Sequence, residues 1–413
     1  MNENKNGRKM RQIAQQSEQV HRRRQTACAP RRPPARQAGQ APALYHVIFA
    51  HVEDDLCATG WMAMGGKQVG FWLDAMTIHT VLTNTLKLRV PLVMGGMQWV
   101  GKPALAAAVS NAGALGMLTA LTQPTPEALR AAIEETRSLI DPQIAKERSQ
   151  YGAFGVNITL LPAIVPPDYE GYARAALEAG VRIFETAGSN PEPVIKVLKQ
   201  SGAFVIHKCT AIRHGLKAAQ LGADMLSIDG LECAGHPGED DIGGLVLLAL
   251  AAEKSPIPFI ASGGMANGRS LAAALALGAC GANMGTRFMA TRESEIHDKI
   301  KAHLVQSSER DTVHIMRSLR NTARVYKNKV ALEVIEKEKQ RAQFADIRPL
   351  VSGQRGKKVY ENGEVDAGIW TAGQTAGLIH DIPTCKELVA RIERDAEQVM
   401  TQSAALITPS PRL

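Results

Sequence analysis

The sequence predicts an α/β protein: a (β/α)8 TIM barrel followed by a C-terminal helical subdomain. Three observations carry that expectation. From residue 91 to residue 284, short apolar runs that end in glycine or a polar side chain alternate with amphipathic stretches, giving eight strand-like runs. The last two, Phe259-Ile-Ala-Ser-Gly-Gly-Met265 and Gly281-Ala-Asn-Met-Gly-Thr-Arg-Phe288, both close on glycines and flank a small-residue helix. After Thr291 the alternation stops.

The strands fall at 91–94, 114–118, 154–160, 183–186, 204–207, 225–228, 259–261 and 282–284. Helices are expected at 103–111, 125–139, 169–179, 191–200, 211–221, 242–253 and 268–277. Strands that alternate with helices pair in parallel through right-handed crossovers, and eight units in about 200 residues fit a closed barrel. An open doubly wound sheet is the other arrangement that periodicity permits. Thr125 before Pro126 is a strong helix start, Gly278 a helix stop, and 141–151 a charged surface excursion. Beyond the barrel, 297–305, 312–319 and 330–342 look helical. The runs 351–357 and 368–374 look like glycine-punctuated loops, with Trp370 a packing anchor rather than a substrate contact. The chain thus divides into 1–75, a barrel over 76–290, and a helical subdomain over 291–413 covering the barrel mouth.

The 413 residues carry a formal net charge of +8. Residues 1–40 hold ten Lys/Arg against Glu3 and Glu18, which leaves 38 basic and 38 acidic residues in the remainder. The folded part is neutral and offers no argument for nucleic acid. Residues 1–75, with Arg22-Arg-Arg24 and Arg31-Arg-Pro-Pro34, show no sustained period. They are read as disordered or non-native: sequence upstream of a start codon called too early, a targeting leader, or a basic arm. No apolar run reaches the ~18 residues of a membrane span. Six scattered cysteines lack metal or redox spacing, which points to thiols in a cytoplasmic compartment; Cys209 and Cys233 stand near strand ends.

In this fold, chemistry sits at the strand ends. Gly263, Gly264, Gly285 and Thr286 close the last two strands and expose backbone N–H groups suited to an anion, although tight turns alone would also call for these glycines. Other ends present Gly95-Gly-Met-Gln98, Asn157 and Thr159, His207-Lys-Cys209, and Asp229-Gly-Leu-Glu-Cys-Ala-Gly-His236. Lys208 offers a cation beside a redox ring, or an ion pair with Asp229. His236, in a Gly/Pro-rich loop, suits proton transfer or hydrogen bonding to an anion, a surface or capping role being the alternative. The acids Glu239-Asp-Asp241 read as the cap of the next helix. Zinc spacing, a P-loop and G-x-S-x-G are absent from the sequence, so a hydrolase or kinase is unsupported.

Six motifs together carry a resemblance. Gly95-Gly-Met-Gln-Trp-Val-Gly101, Gly155-Val-Asn-Ile-Thr159, His207-Lys-Cys209, Ser227 through Asp241, Ala261-Ser-Gly-Gly264 and Asn283-Met-Gly-Thr-Arg-Phe288 resemble the nitronate monooxygenase (2-nitropropane dioxygenase) family of FMN-dependent TIM barrels. The likeness spans roughly residues 77–407, outside an insertion at 144–151. It implies one non-covalent FMN, its phosphate on Gly263, Gly264, Gly285 and Thr286. The remaining flavin contacts would be Gly95, Gly96, Met97, Thr159, Lys208, Asp229, Ala234 and Gly235, with His236 as catalytic base. Met97 through Gly101, Ser318 through Arg324 and Ser352 through Gly356 are similar to the branch that acts as NAD(P)H:quinone reductase. Nitronate oxidation by O2 is the alternative activity. Ala163-Ile164 and Thr371 depart from the family pattern and bear on substrate preference. A flavin-free phosphosugar-binding barrel is the reading from another class.

Overall fold

The computed structural model describes residues 78–160 and 166–407, which lie within one compact unit. The expectations for residues 1–75 and for Ala163-Ile164 fall outside the described residues. Eight parallel strands close into a barrel in chain order. They are β1 Leu92–Met94, β2 Leu115–Thr119, β3 Phe154–Leu160, β4 Ile183–Gly188, β5 Phe204–Cys209, β6 Met225–Asp229, β7 Phe259–Ser262 and β8 Ala282–Met284. Closure is made where Leu92, Val93 and Met94 pair with Ala282, Asn283 and Met284, which removes the open-sheet alternative.

Parallel strands covered on both faces need apolar runs, and these strands have them. Val93, Leu115, Met117, Ile183, Ile206, Met225 and Ile260 form one buried cluster with Leu82 and Leu86 of the short helix α1, Val81–Leu86. Each such side chain contributes roughly 1.5–3 kcal/mol by leaving water. Gly116 marks the closest helix-to-strand approach, since a Cβ there would stand 1.9 Å from the Ala106 carbonyl oxygen of α2, Pro103–Asn111.

Helix starts and stops follow their local signals. The Thr125 side chain accepts from the Ala128 N–H to open α3, Pro126–Ser138. The 141–151 excursion contains a further short helix, α4 Pro142–Glu147, capped by Asp141. The outer layer continues with α5 Tyr169–Glu178, α6 Glu192–Gln200, α7 Ile212–Gln220, α8 Gly244–Lys254 and α9 Gly268–Ala276. Past α9, Gly278 adopts φ 91 and the Ala279 N–H reaches the Ala274 carbonyl at 3.0 Å, a Schellman ending.

After α10, Thr286–Met289, the chain departs from expectation in two places. Helices α11 Asp298–Gln306 and α12 Lys329–Lys339 lie where helices were expected. Residues 312–319, expected to be helical, instead supply β9 Thr312–Ile315, which pairs antiparallel with β10 Ala323–Tyr326. Thr, Val and Ile at 312, 313 and 315 favour a pleated strand, and Thr312 and Ile315 are buried. Residues 351–357, expected as a loop, run from the end of α13 Phe344–Val351 into α14 Gly353–Asn362. Gly356 is there for packing, because a Cβ would meet the Ile369 carbonyl oxygen at 2.6 Å. The C-terminal helical part expected over 291–413 ends in α15, Cys385–Ala404, opened by a Thr384/Glu387 capping box. It lies on the outer layer against α9, where a Cβ on Gly268 would come within 2.4 Å of the Asp395 Cβ. Trp370 is buried and stacks on Tyr326 at 4.2 Å between ring centroids, as a packing anchor does.

Candidate active site

Every candidate residue lies at or beyond the C-terminal end of a barrel strand, but these residues keep their positions by different means. Register pairs Lys208 of β5 with Ser227 of β6, and Asp229 of β6 with Ser262 of β7. Lys208 Nζ lies 3.8 Å from Asp229 Oδ2. Burial works to lower the Lys208 pKa, yet Asp229, then Glu185 and Cys233, more than offset it and raise the pKa, so the ammonium stays charged. Burial raises the Asp229 pKa against the pull of Lys208 and Ser262. Asp229 Oδ1 is buried with no hydrogen-bond partner among the described residues.

Below this pair runs a polar layer that the sequence did not announce. Glu185 of β4, fully buried, accepts from the Gly96 N–H at 2.8 Å, Asn157 Nδ2 at 2.7 Å and Asn283 Nδ2 at 2.9 Å. Asn283 also donates to Ser227 Oγ, and Thr159 Oγ1 donates to Asn157 Oδ1. The layer explains two glycines. A Cβ on Gly95 would stand 2.5 Å from Asn283 Oδ1, and one on Gly96 would stand 2.0 Å from Asn157 Cγ. The Met97 N–H is also taken, by Thr119 Oγ1 at 2.9 Å. The only signal for Glu185 was one acid inside an apolar strand.

The β7 and β8 turns are different. Gly263 and Gly264 hold φ of 74 and 77, a left-handed backbone that side chains resist. The N–H groups of Gly263, Gly264, Met265 and Gly285 have no hydrogen-bond partner among the described residues. A Cβ on Gly264 or Gly285 would make only ordinary van der Waals contact, with Glu232 Cβ at 3.7 Å and Met97 Sδ at 3.5 Å. Thr286 is buried and its Oγ1 accepts from the Gly373 N–H at 3.0 Å.

Ala234, Gly235 and His236 ride on the loop between β6 and α8. Gly235 has φ 76, and a Cβ there would find no atom within 4 Å, so it borders open space. His236 is half-buried and its imidazole has no hydrogen-bond partner among the described residues. Burial holds its pKa below the ordinary imidazole value while Glu239 pulls the other way, leaving a neutral ring at neutral pH. The capping expectation for Glu239-Asp-Asp241 is corrected. Helix α8 starts beyond them at Gly244, whose N–H meets the Glu232 carboxylate at 3.0 and 3.1 Å. Glu239 accepts from Thr322, Asp240 pairs with Arg213, and Asp241 pairs with Arg317.

Cys209 and Cys233 are buried free thiols near this end. Burial raises both pKa values, to about 12 for Cys209, so neither is a ready thiolate. Among the described residues no group of His, Cys, Asp and Glu is placed to hold a metal, and no helix is long and apolar enough to cross a membrane.

A nitronate monooxygenase family model matches residues 79–145 and 153–395, leaving out most of the insertion noted above. The (3aS,4S,5R,7aS)-5-hydroxy-7a-methyl-1-oxo-octahydro-1H-indene-4-carboxyl-CoA dehydrogenase of Mycobacterium tuberculosis is 31% identical over 80% of this chain and 100% of that protein. A nitronate monooxygenase of Paraburkholderia phytofirmans is 28% identical over 78% of this chain and 96% of its own. Among solved structures, FabK from Thermotoga maritima superposes with a TM-score of 0.73 at 33% identity, over 80% of this chain and 100% of that one.

Proposed function

The chain belongs to the nitronate monooxygenase family, and on that premise we propose that it is an FMN-dependent oxidoreductase of the NAD(P)H:quinone reductase type. The residues fit a flavin mononucleotide on three counts. Four unpartnered N–H groups at Gly263, Gly264, Met265 and Gly285 suit its phosphate. Open space over Gly235 leaves it room, and the unpartnered Asp229 Oδ1 suits a hydroxyl or ring N–H. When bound, FMN would supply the two-electron redox centre. The same reading assigns 76–290 as the FMN-binding barrel and 291–413 as the part beside its mouth. It also keeps the protein in the cytoplasm.

The chain's own residues then divide the work. Lys208 keeps a positive charge at the mouth and offsets negative charge that develops there. Gly95, Gly96, Met97 and Thr159 line the inner side, but the Gly96 and Met97 N–H groups are bound within the protein and are not offered to the cofactor. The observation that carries the reading is His236: a neutral imidazole, without a competing partner among the described residues, where a substrate would enter. It can donate its N–H to a quinone oxygen, or accept a proton at its free nitrogen. In the net reaction, NAD(P)H, one proton and a quinone become NAD(P)+ and a hydroquinone.

Two other substrates have a specific relative behind them. Kinship with the nitronate monooxygenase of P. phytofirmans favours an alkyl nitronate and O2, giving a carbonyl compound and nitrite. Kinship with the carboxyl-CoA dehydrogenase of M. tuberculosis favours an acyl thioester that yields its hydrogens directly. One anaerobic experiment separates the three. Purified yellow protein is mixed with NADH or NADPH, the visible flavin band is followed, and benzoquinone is added. Bleaching and return of the band support the quinone reading. No bleaching by either nicotinamide, with nitrite formed from nitronate in air, replaces it with the second. Bleaching by an acyl-CoA alone replaces it with the third.

A further inference from the structure

The loop that carries His236 spans residues 230–243 between β6 and α8, long for a strand-to-helix connection. Its own bonds fasten only its base: the Leu231 N–H reaches the Ile242 carbonyl at 2.9 Å, and the Cys233 N–H reaches the Gly230 carbonyl at 3.0 Å. Apart from the pair of Asp240 with Arg213, the bonds that fix the stretch around His236 come from residues 76 or more positions later. Gly235 and Arg324 exchange both backbone hydrogen bonds, N–H of Gly235 to O of Arg324 at 3.1 Å and the reverse at 2.6 Å. Gly235 thereby adds a one-residue bridge to the edge of β10 away from β9. The Arg324 guanidinium, buried, donates to the Leu231 carbonyl and to Thr312 Oγ1. The Thr322 N–H and hydroxyl both donate to the Glu239 carboxylate, at 2.9 and 2.6 Å, and Arg317 binds Asp241.

We infer that the hairpin is a clamp for His236 and that Thr322 is a positioning residue for the reaction. The ties fall on either side of the histidine: Leu231 and Gly235 before it, Glu239 and Asp241 after it. None touches the imidazole, so the ring is placed through its backbone while its nitrogens remain available to a substrate. The Thr322 pair has a second consequence. It occupies both oxygens of Glu239, the one acid that pulls the His236 pKa upward, and so holds that charge in place. The inference rests on the role proposed for His236, but the loop's order can be read without any substrate.

The test compares Thr322→Val, which keeps the shape and the backbone N–H but loses the hydroxyl donor, with Thr322→Ser, which keeps the donor. Hydrogen exchange is followed by mass spectrometry in peptides covering 231–241 and, as an internal control, 259–289. Turnover of NADH with benzoquinone is measured per bound flavin. In Thr322→Val, exchange should rise in 231–241 but not in 259–289, and turnover should fall about tenfold, as expected for a lost hydrogen bond to a charged group. Thr322→Ser should restore both. Glu239→Ala should raise exchange in the same peptide, and combining it with Thr322→Val should add little, because the two share one contact. Unchanged exchange in Thr322→Val overturns the clamp, as does a uniform rise in both peptides. A wild-type flavin that NADH and NADPH fail to reduce refutes the quinone reading alone, while the exchange arms still decide the clamp.

Discussion

The turns after β7 and β8 and the loop after β6 border the same barrel mouth, yet they owe their shapes to different parts of the chain. At the first, the conformation is local. Gly263 and Gly264 take left-handed angles that glycine adopts at no steric cost, and their free N–H groups follow from that backbone. At the second, the backbone is held from outside by Thr322, Arg324 and Arg317. On the proposed reading, the cofactor's phosphate would rest on the local kind. The part expected to meet a changing substrate is built on the distant kind, where one contact can be altered without disturbing the barrel.

The sharpest way to separate the two is to remove chemistry from one while leaving the other whole. His236→Ala should lower turnover per bound flavin by about 10²–10⁴, the usual contribution of a general acid or base. Flavin content should stay at the wild-type level. If flavin is lost along with activity, the two regions are one unit and the comparison fails.

Next come the glycines, where two adjacent residues with nearly equal φ differ in surroundings. At Gly263 a Cβ would approach the Gly230 carbonyl oxygen to 2.8 Å and the Cys233 Cβ to 3.0 Å, whereas at Gly264 the nearest atom is 3.7 Å away. Gly264→Ala should therefore cost only backbone strain, about 1–2 kcal/mol. Gly263→Ala adds overpacking, about 1–3 kcal/mol more. Urea midpoints of the two variants measure the difference, and equal midpoints would show that packing between the β6 and β7 ends contributes nothing.

The same contrast governs what could be read from the sequence. The strands and their glycine ends are legible because each is written in consecutive residues: an apolar run, then a residue that permits a turn. The observed strands begin and end within two residues of the expected ones, and β3 and β8 coincide. Glu185 was not legible as an organiser, since its partners come from the turn after β1 (Gly96) and from β3 and β8 (Asn157 and Asn283) and meet it only once the barrel closes. The acids at 239–241 look like a helix cap when only their neighbours are considered, and their real partners lie about 75 or more residues further on or 27 back. Glycine misled at 351–357, where Gly356 serves close packing inside a helix.

The smallest effect concerns protons, and it sets the barrel against the loop once more. His207 on β5 is 3% exposed, with Nδ1 2.9 Å from Thr186 Oγ1; burial, then the nearby His214, pushes its pKa down to about 4 from 6.5. Because the folded value is the lower one, the unfolded chain binds more protons between pH 6.5 and 4, and stability falls as pH falls through that window. At pH 5.5 the loss from His207 is on the order of 1 kcal/mol relative to pH 7.5. His314 in the hairpin, also lowered to about 4, chiefly by burial, acts in the same direction. His207→Gln should remove only the barrel's share, so the drop in urea midpoint between pH 7.5 and 5.5 should shrink without vanishing. His236, lowered by burial as well, should act on catalysis instead: turnover per flavin should fall on the acid side in the wild type and in His207→Gln alike. If His207→Gln abolishes the acid loss of turnover, the proton that matters sits in the barrel, and His236 is not the group that reports on substrate.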